Sequence, residues 1–286
     1  MKIAVLGDVH GNLPAFETVM ADLERWQPDQ IISLGDVINR GPSSAQCLAL
    51  IQEKLQTAGW RALRGNHEDY ILHQAARSGP EFEAFRQSWW TYNQIGCDVS
   101  EIARWSDTAE AAAPDGTITR VAHASVINNS LGIAPNTPED KLIERGGQPP
   151  PAVFCAGHIH HAFIRQVNGT IFVNAGSVGM PFDEDWRASY ARITWQGGVW
   201  DAEIVRLEYD RARAIRNYQD SGFLWEAGPV AWLVLAEQLH ARSQLFAWHR
   251  DHFDAVRAGE RSVEDSVRMQ LEGQGLWGEI SGYLEK

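Results

Sequence analysis

Cysteine is scarce in this chain: Cys47, Cys97 and Cys155 are the three present in 286 residues. So few thiols, so scattered, rule out a disulfide framework or a zinc knuckle. Cys155 falls inside the apolar run of residues 153–156, where a buried structural thiol is expected. Long hydrophobic runs are missing too. None approaches the ~18 apolar residues of a membrane span, and Asp8 cuts short the N-terminal run in a way no secretory signal tolerates. A reducing cytoplasm is therefore the expected compartment, without membrane association. Basic residues are in deficit, 25 Lys and Arg against 37 Asp and Glu, for a net charge of −12. That balance argues against a broad nucleic-acid-binding surface. It leaves room for a small phosphate ligand, because bound cations reverse a local field. Internal repeats and low-complexity tracts are absent as well.

What is present is an alternation of short apolar runs and helical patterns up to about residue 209. Residues 3–6 read as a buried strand. Asn12 is placed to cap the following helix, with Pro14 in its first turn, and Leu13, Phe16, Met20 and Leu23 recur on one face. Residues 31–34 form the next strand, a β-loop-α-β unit suited to a parallel crossover. A helix over 43–56, a strand at 62–63 and a helical region over 68–105 follow. Further strands are expected at 118–122, 153–156, 170–174, 188–195 and 199–207, the last two as a hairpin across Gln196-Gly197-Gly198. The Pro- and Gly-containing stretch 128–151 reads as a loop-rich cap facing substrate. From about residue 210 the pattern is helical, broken near Gly228-Pro229 and at Gly259, with Ser262 and Asp265 capping the last helix.

Five motifs punctuate the strand ends in order: Asp8-Val9-His10; Gly35-Asp36 running to Arg40-Gly41-Pro42; Gly65-Asn66-His67-Glu68; an isolated His123; and Gly157-His158-Ile159-His160. Asp, His and Asn are ligands of the kind that hold Mn²⁺, Fe or Zn²⁺. More of them are present than one metal needs, which points to a two-metal hydrolytic site.

The ordered set, over roughly residues 1–209, resembles the calcineurin-like metallophosphoesterases. The segment 174–181 (Asn-Ala-Gly-Ser-Val-Gly-Met-Pro) is similar to their compact bacterial phosphodiesterase-like members. The resemblance implies a two-sheet α/β sandwich over 1–209, with 210–286 as a helical C-terminal extension packed on it. It also implies two divalent ions, Mn, Fe or Zn. Asp8, His10 and His160 would hold one, Asn66, His123 and His158 the other, and Asp36 would bridge both. A hydroxide shared by the two ions would attack a phosphodiester or phosphomonoester. His67 would protonate the leaving oxygen, and Arg40 would clamp a phosphate oxygen with its planar fork. The expected partner is a small phosphorylated substrate.

Neighbouring functions within the class are a dinucleoside polyphosphate hydrolase and a protein serine/threonine phosphatase. Asn39, where the protein-phosphatase branch carries an acid, counts against the latter, as does His123-Ala124-Ser125 in place of His-Gly-Gly. A catalytically silent scaffold ranks lower, because no ligand has been lost. The Trp-rich extension (Trp225, Trp232, Trp248, Trp277) is expected to close an apolar face of the sandwich; a homo-oligomer contact or a cleft wall is the alternative.

Overall fold

The computed structural model describes residues 1–79 and 82–285. Its first sheet is built on three parallel strands, β1 (Lys2–Leu6), β2 (Gln30–Ser33) and β3 (Arg61–Ala62). The second takes β4 (Thr108–Ala112), β5 (Ile118–Ala122), β6 (Val153–Ala156), β7 (Phe163–Val167) and β8 (Thr170–Asn174), in the order β4-β5-β6-β8-β7. The hairpin β9 (Ala188–Gln196) and β10 (Val199–Leu207) returns to the first sheet, whose order is β10-β9-β1-β2-β3. Its turn uses Gly197 and Gly198, both at positive φ (58° and 88°), which matches the twist of the strands it joins.

Alternation along the strands decides the layering. Ile3 and Val5 face Val121, Val153, Cys155 and Val173 of the second sheet, forming the inter-sheet core. Ala4 and Leu6 point the other way, against Phe16, Val19 and Leu23 of helix α1 (Leu13–Trp26). Each fully buried aliphatic side chain contributes about 1.5–3 kcal/mol. Asn12 caps α1 by accepting from Ala15 N at 3.2 Å, as its position in the sequence requires. Helix α2 (Ser44–Thr57) shares the outer core of the first sheet. The result is a two-sheet α/β sandwich with helices outside.

Several local expectations change. Strands β4 and β7 have no counterpart in the sequence reading. Thr108–Ala112 is Thr-Ala-Glu-Ala-Ala, poor in β-formers, and is a strand because it pairs in register with β5. The helical region expected over 68–105 is broken into α3 (Asn66–Leu72), α4 (Arg86–Gln94) and short 3₁₀ turns; its residues 80 and 81 lie outside the described residues. The stretch 128–151 is only partly a loop. It contains α5 (Glu139–Gly146), whose Leu142 packs with Phe154 and Phe172 on the outside of the second sheet.

Beyond β10 come α6 (Arg211–Asp220), α7 (Phe223–Glu226), α8 (Val230–His240), α9 (Leu245–Arg257), α10 (Val263–Gly273) and α11 (Trp277–Gly282). Ser262 caps α10, accepting from Asp265 N at 3.0 Å, but α11 follows, so this is not the last helix. Helix α8 is apolar around most of its circumference and is the centre of this layer. Leu233, Val234, Trp248, Val267 and Ile280 form one core with Met180 and Ala84 from the preceding chain. The aromatic payload is mostly spent there, although Phe246 stays 73% exposed. Among the described residues no helix is long and apolar enough to cross a membrane.

Candidate metal centre

Every motif singled out in the sequence lies just past the C-terminal end of a strand. Asp8 and His10 follow β1, Asp36 follows β2 and Asn66 follows β3; His123 follows β5, and His158 and His160 follow β6. The two sheets thus contribute from opposite sides. The loops after β1 and β2 are zipped together by Asp8 N to Gly35 O (3.0 Å), His10 N to Asp36 O (2.9 Å) and Gly11 N to Val37 O (3.1 Å). Asp8, His10, Asp36, His158 and His160 all sit in the left-handed region, with φ from 48° to 67°. Such backbone is costly for non-glycine residues and persists only where the surroundings over-determine it. Two glycines make the crowding tolerable. A Cβ at Gly65 would stand 2.0 Å from Asp36 Oδ1, and one at Gly157 would stand 2.2 Å from Asp8 Oδ2.

The side chains converge on two overlapping clusters. Asp8, His10, Asp36 and His160 form one, Asp36, His123 and His158 the other; within each, the potential ligand atoms lie within 4.8 Å of one another. Asp36 belongs to both. Asn66 joins the second, its Oδ1 being 3.0 Å from His123 Nε2 and 2.9 Å from His158 Nδ1.

The donor and acceptor roles are informative. His123 Nδ1 faces the Leu34 carbonyl at 3.0 Å and His160 Nδ1 the Met180 carbonyl at 2.5 Å, so each Nδ1 carries the proton. In the neutral rings Nε2 is then a bare acceptor. Yet His160 Nε2 lies 3.1 Å from Asp8 Oδ1 and 3.2 Å from His10 Nε2. His123 Nε2 likewise faces Asn66 Oδ1 and, at 3.4 Å, Asp36 Oδ2. At His160 facing Asp8, and at His123 facing Asn66, lone pairs meet lone pairs in a buried space, an arrangement that cations resolve. The residues therefore fit a metal site.

Charge tells the same story. Burial, then the charge of Asp8, pushes the Asp36 carboxyl well above its usual range. Burial also drives His10 and His67 well below the ordinary imidazole range and His158 to about 3. Those rings are neutral at pH 7, the state in which imidazole is a ligand.

Glu68 was quoted in a motif without a role, and the structure supplies one. Its carboxylate accepts from Asp36 N (2.7 Å), Val37 N (2.9 Å) and Gly65 N (2.9 Å), tying the loop after β2 to the start of α3. Ser177 holds the opposite wall, donating to Asp8 O at 2.6 Å and accepting from Met180 N at 2.8 Å. Phe182 stacks on His160 with centroids 4.4 Å apart, a neighbour the sequence did not disclose. His161 is half-buried beside the charges of Asp183 and Arg206. Of the stretch proposed as a cap, only its first part borders the cluster: Gly132 packs on the His158 ring, and Asn129 donates to Asp69.

His67 stands edge-on to His10 at 4.7 Å between ring centroids. Its Nδ1 accepts from Asn39 Nδ2 at 3.0 Å, so in the neutral ring Nε2 bears the proton. Tyr70, 45% exposed, meets the other side of the His67 ring at 5.2 Å. Arg40 is buried and pairs with Glu237 of α8 at 2.8 Å. Glu237 was missed by the sequence reading; its signal was a lone acid directly after the apolar run Val230–Ala236.

Such a sandwich, with an acid- and histidine-rich cluster at its strand ends, defines the metal-dependent phosphoesterase class. Residues 1–198 match the model of the calcineurin-like phosphoesterase superfamily domain, and the chain belongs to that superfamily. It is a hydrolase of phosphoric esters. Serine/threonine-protein phosphatase 1 of Salmonella typhimurium is 44% identical over 78 residues, a match covering 26% of this chain and 33% of that protein. Protein MJ0912 of Methanocaldococcus jannaschii is 24% identical over 232 residues, covering 74% of this chain and 89% of its own. Among solved structures, a metallophosphoesterase from Sphaerobacter thermophilus shares the fold with a TM-score of 0.65, at 23% identity over 84% of this chain and 100% of that one. Protein PH1004 from Pyrococcus horikoshii does so with a TM-score of 0.70, at 15% identity, over 85% of this chain and 99% of its own.

Proposed function

We propose that the chain hydrolyses small phosphodiesters or phosphomonoesters with two divalent ions. Asp8, His10, Asp36 and His160 would hold one ion, and Asp36, Asn66, His123 and His158 the other. The observation that carries this reading is that the Nε2 acceptors of His160 and His123 face buried oxygens, of Asp8 at 3.1 Å and of Asn66 and Asp36 at 3.0 and 3.4 Å, with Asp36 common to both groups. When bound, such ions supply Lewis acidity, lowering the pKa of a water and offsetting charge on the phosphate.

The chain's own groups do the rest. Arg40 presents donors to a phosphate oxygen, its charge undiluted by water because the side chain is buried. His67, with Nδ1 engaged by Asn39, directs Nε2–H at the leaving oxygen and offsets its developing charge as a hydrogen-bond donor; in its doubly protonated form the ring would pass that proton on and return to neutral. Tyr70, against His67, and Gly132, against His158, flank the cluster. Residues 1–209 carry this chemistry, and the helices after 210 support it. The likeness to the Salmonella phosphatase favours a second reading, a phosphatase acting on phosphoprotein, against which Asn39 stands.

The test is a metal titration. Protein stripped of metal and reloaded with Mn²⁺, Fe²⁺ or Zn²⁺ is assayed on bis(p-nitrophenyl) phosphate, p-nitrophenyl phosphate and a phosphoserine peptide. Turnover of the small esters that saturates at two ions per chain is expected. Activity on the peptide alone would move the assignment to the second reading, and inactivity with every metal on every substrate would defeat both.

A further inference from the structure

Arg40 lies in a tight loop, at a φ of 67°, and its guanidinium is held from 197 residues away. Glu237 Oε2 accepts from Arg40 Nη2 at 2.8 Å, and Glu237 is fully buried. The other oxygen, Oε1, is committed to the turn between α8 and α9: it accepts from Gln244 N (2.8 Å), Leu245 N (2.9 Å) and Ser243 Oγ (3.3 Å). The carboxylate is therefore clamped at both ends and has no freedom to follow the arginine. Phe182 limits the guanidinium from a second direction, lying 5.4 Å from it while stacked on His160. Arg40 Nε is buried and has no partner among the described residues.

A buried arginine with one nitrogen anchored and another donor unspent is a preorganised anion clamp. A pair of this kind is weak as a source of stability, since desolvation offsets most of the attraction, while removal of one partner leaves a buried charge uncompensated. The geometry points to Glu237 as the residue that positions Arg40 for the phosphate, which makes the C-terminal helical layer part of the reaction apparatus. This inference rests on the reading of Arg40 as a phosphate clamp.

The test compares Mn²⁺-loaded wild type with Glu237→Gln, Arg40→Ala, the double variant and Ser266→Ala, using bis(p-nitrophenyl) phosphate. Glutamine keeps an acceptor for Gln244 N and Leu245 N but removes the charge facing Arg40. Ser266→Ala strips the Trp248 Nε1 hydrogen bond (2.9 Å) in the same helical layer, remote from Arg40, and controls for destabilisation. Glu237→Gln should raise KM about tenfold to a hundredfold, the loss of one charge-assisted bond, with kcat less affected and metal content unchanged. The double variant should be no worse than Arg40→Ala, because both changes remove one interaction. Ser266→Ala should lower Tm and leave KM and kcat alone. If Arg40→Ala raises KM and Glu237→Gln does not, Glu237 is only structural and the inference fails, with the reading of Arg40 intact. If Arg40→Ala leaves the kinetics unchanged, the clamp reading fails and the inference with it. Should Glu237→Gln not fold, Glu237→Asp keeps the charge on a shorter stem: a raised KM in folded protein supports positioning, and a wild-type KM overturns it.

Discussion

Replacing Asp36 with Asn should stabilise the metal-free protein and disable the loaded one. Asp36 is buried, and its carboxyl is pushed well above the usual carboxylate range by burial and by the charge of Asp8. One oxygen, Oδ1, accepts from His67 N at 2.9 Å, and asparagine can keep that bond; Oδ2 faces His123 and His10, at 3.4 and 3.6 Å. Removing the charge without removing the volume should therefore relieve the metal-free protein by about 1–3 kcal/mol at pH 7. A shift of about 2–4 °C in Tm accompanies each kcal/mol in a chain of this size.

The pH dependence has a definite sign. Because the folded pKa is raised above the unfolded ~3.9, the contribution of Asp36 is fully present below that value and is lost as pH rises through the folded one. The gap between variant and wild type should thus be widest at neutral pH and close in acid. With metal the order inverts. A cation at a hundred times its Kd stabilises the folded state by about 2.7 kcal/mol per site. Wild type should gain that at two sites, and Asp36→Asn at one or none, with turnover reduced at least a hundredfold. Differential scanning fluorimetry on chelator-treated protein, with and without Mn²⁺, and metal counting after dialysis read both effects. A variant less stable without metal, yet keeping two ions and wild-type turnover, would refute the reasoning.

Three further outcomes are expected. His67→Ala should spare metal content and lower turnover by about 10²–10⁴, with a smaller loss on nitrophenyl esters, whose leaving group needs little protonation; equal losses on good and poor leaving groups would make His67 a positioning residue. For Asp22, burial pushes the carboxyl up, but bonds from Tyr190 (2.5 Å), Arg192 (2.7 Å) and Arg25 (3.0 Å) outweigh it and hold the pKa below the ordinary range. Its stabilisation is present above the unfolded pKa and lost as pH falls through the folded one. Asp22→Asn should therefore cost about 1–3 kcal/mol at pH 7 in urea unfolding and little in strong acid, and a cost independent of pH would exclude the charge as the cause. Truncation after Tyr209 should yield insoluble or unfolded protein, because Met180 and Ala84 lose their core partners and Arg40 loses Glu237; a folded, active fragment on gel filtration would show that the helices serve assembly instead.

The metal-site motifs were legible because their chemistry is local in sequence. Asp8-x-His10, Gly157-His158-x-His160 and Gly65-Asn66-His67 each put scarce residue types just past an apolar run, and a strand there has one edge to deliver them to. The inner strands were legible for the same reason: β1, β6 and β8 are continuous apolar runs whose burial depends on no particular partner. What depended on a partner was not legible. Thr108–Ala112 is a strand only beside β5, and the break in the 68–105 helical pattern follows from which faces the sandwich and the C-terminal helices cover. Glu68 and Glu237 look alike in sequence, as acids within helical segments. Only the fold turns one carboxylate onto the Asp36 and Val37 amides and the other onto Arg40, because hydrogen bonds and ion pairs between residues 31 and 197 positions apart are set by where the layers bring the chain together, not by spacing along it.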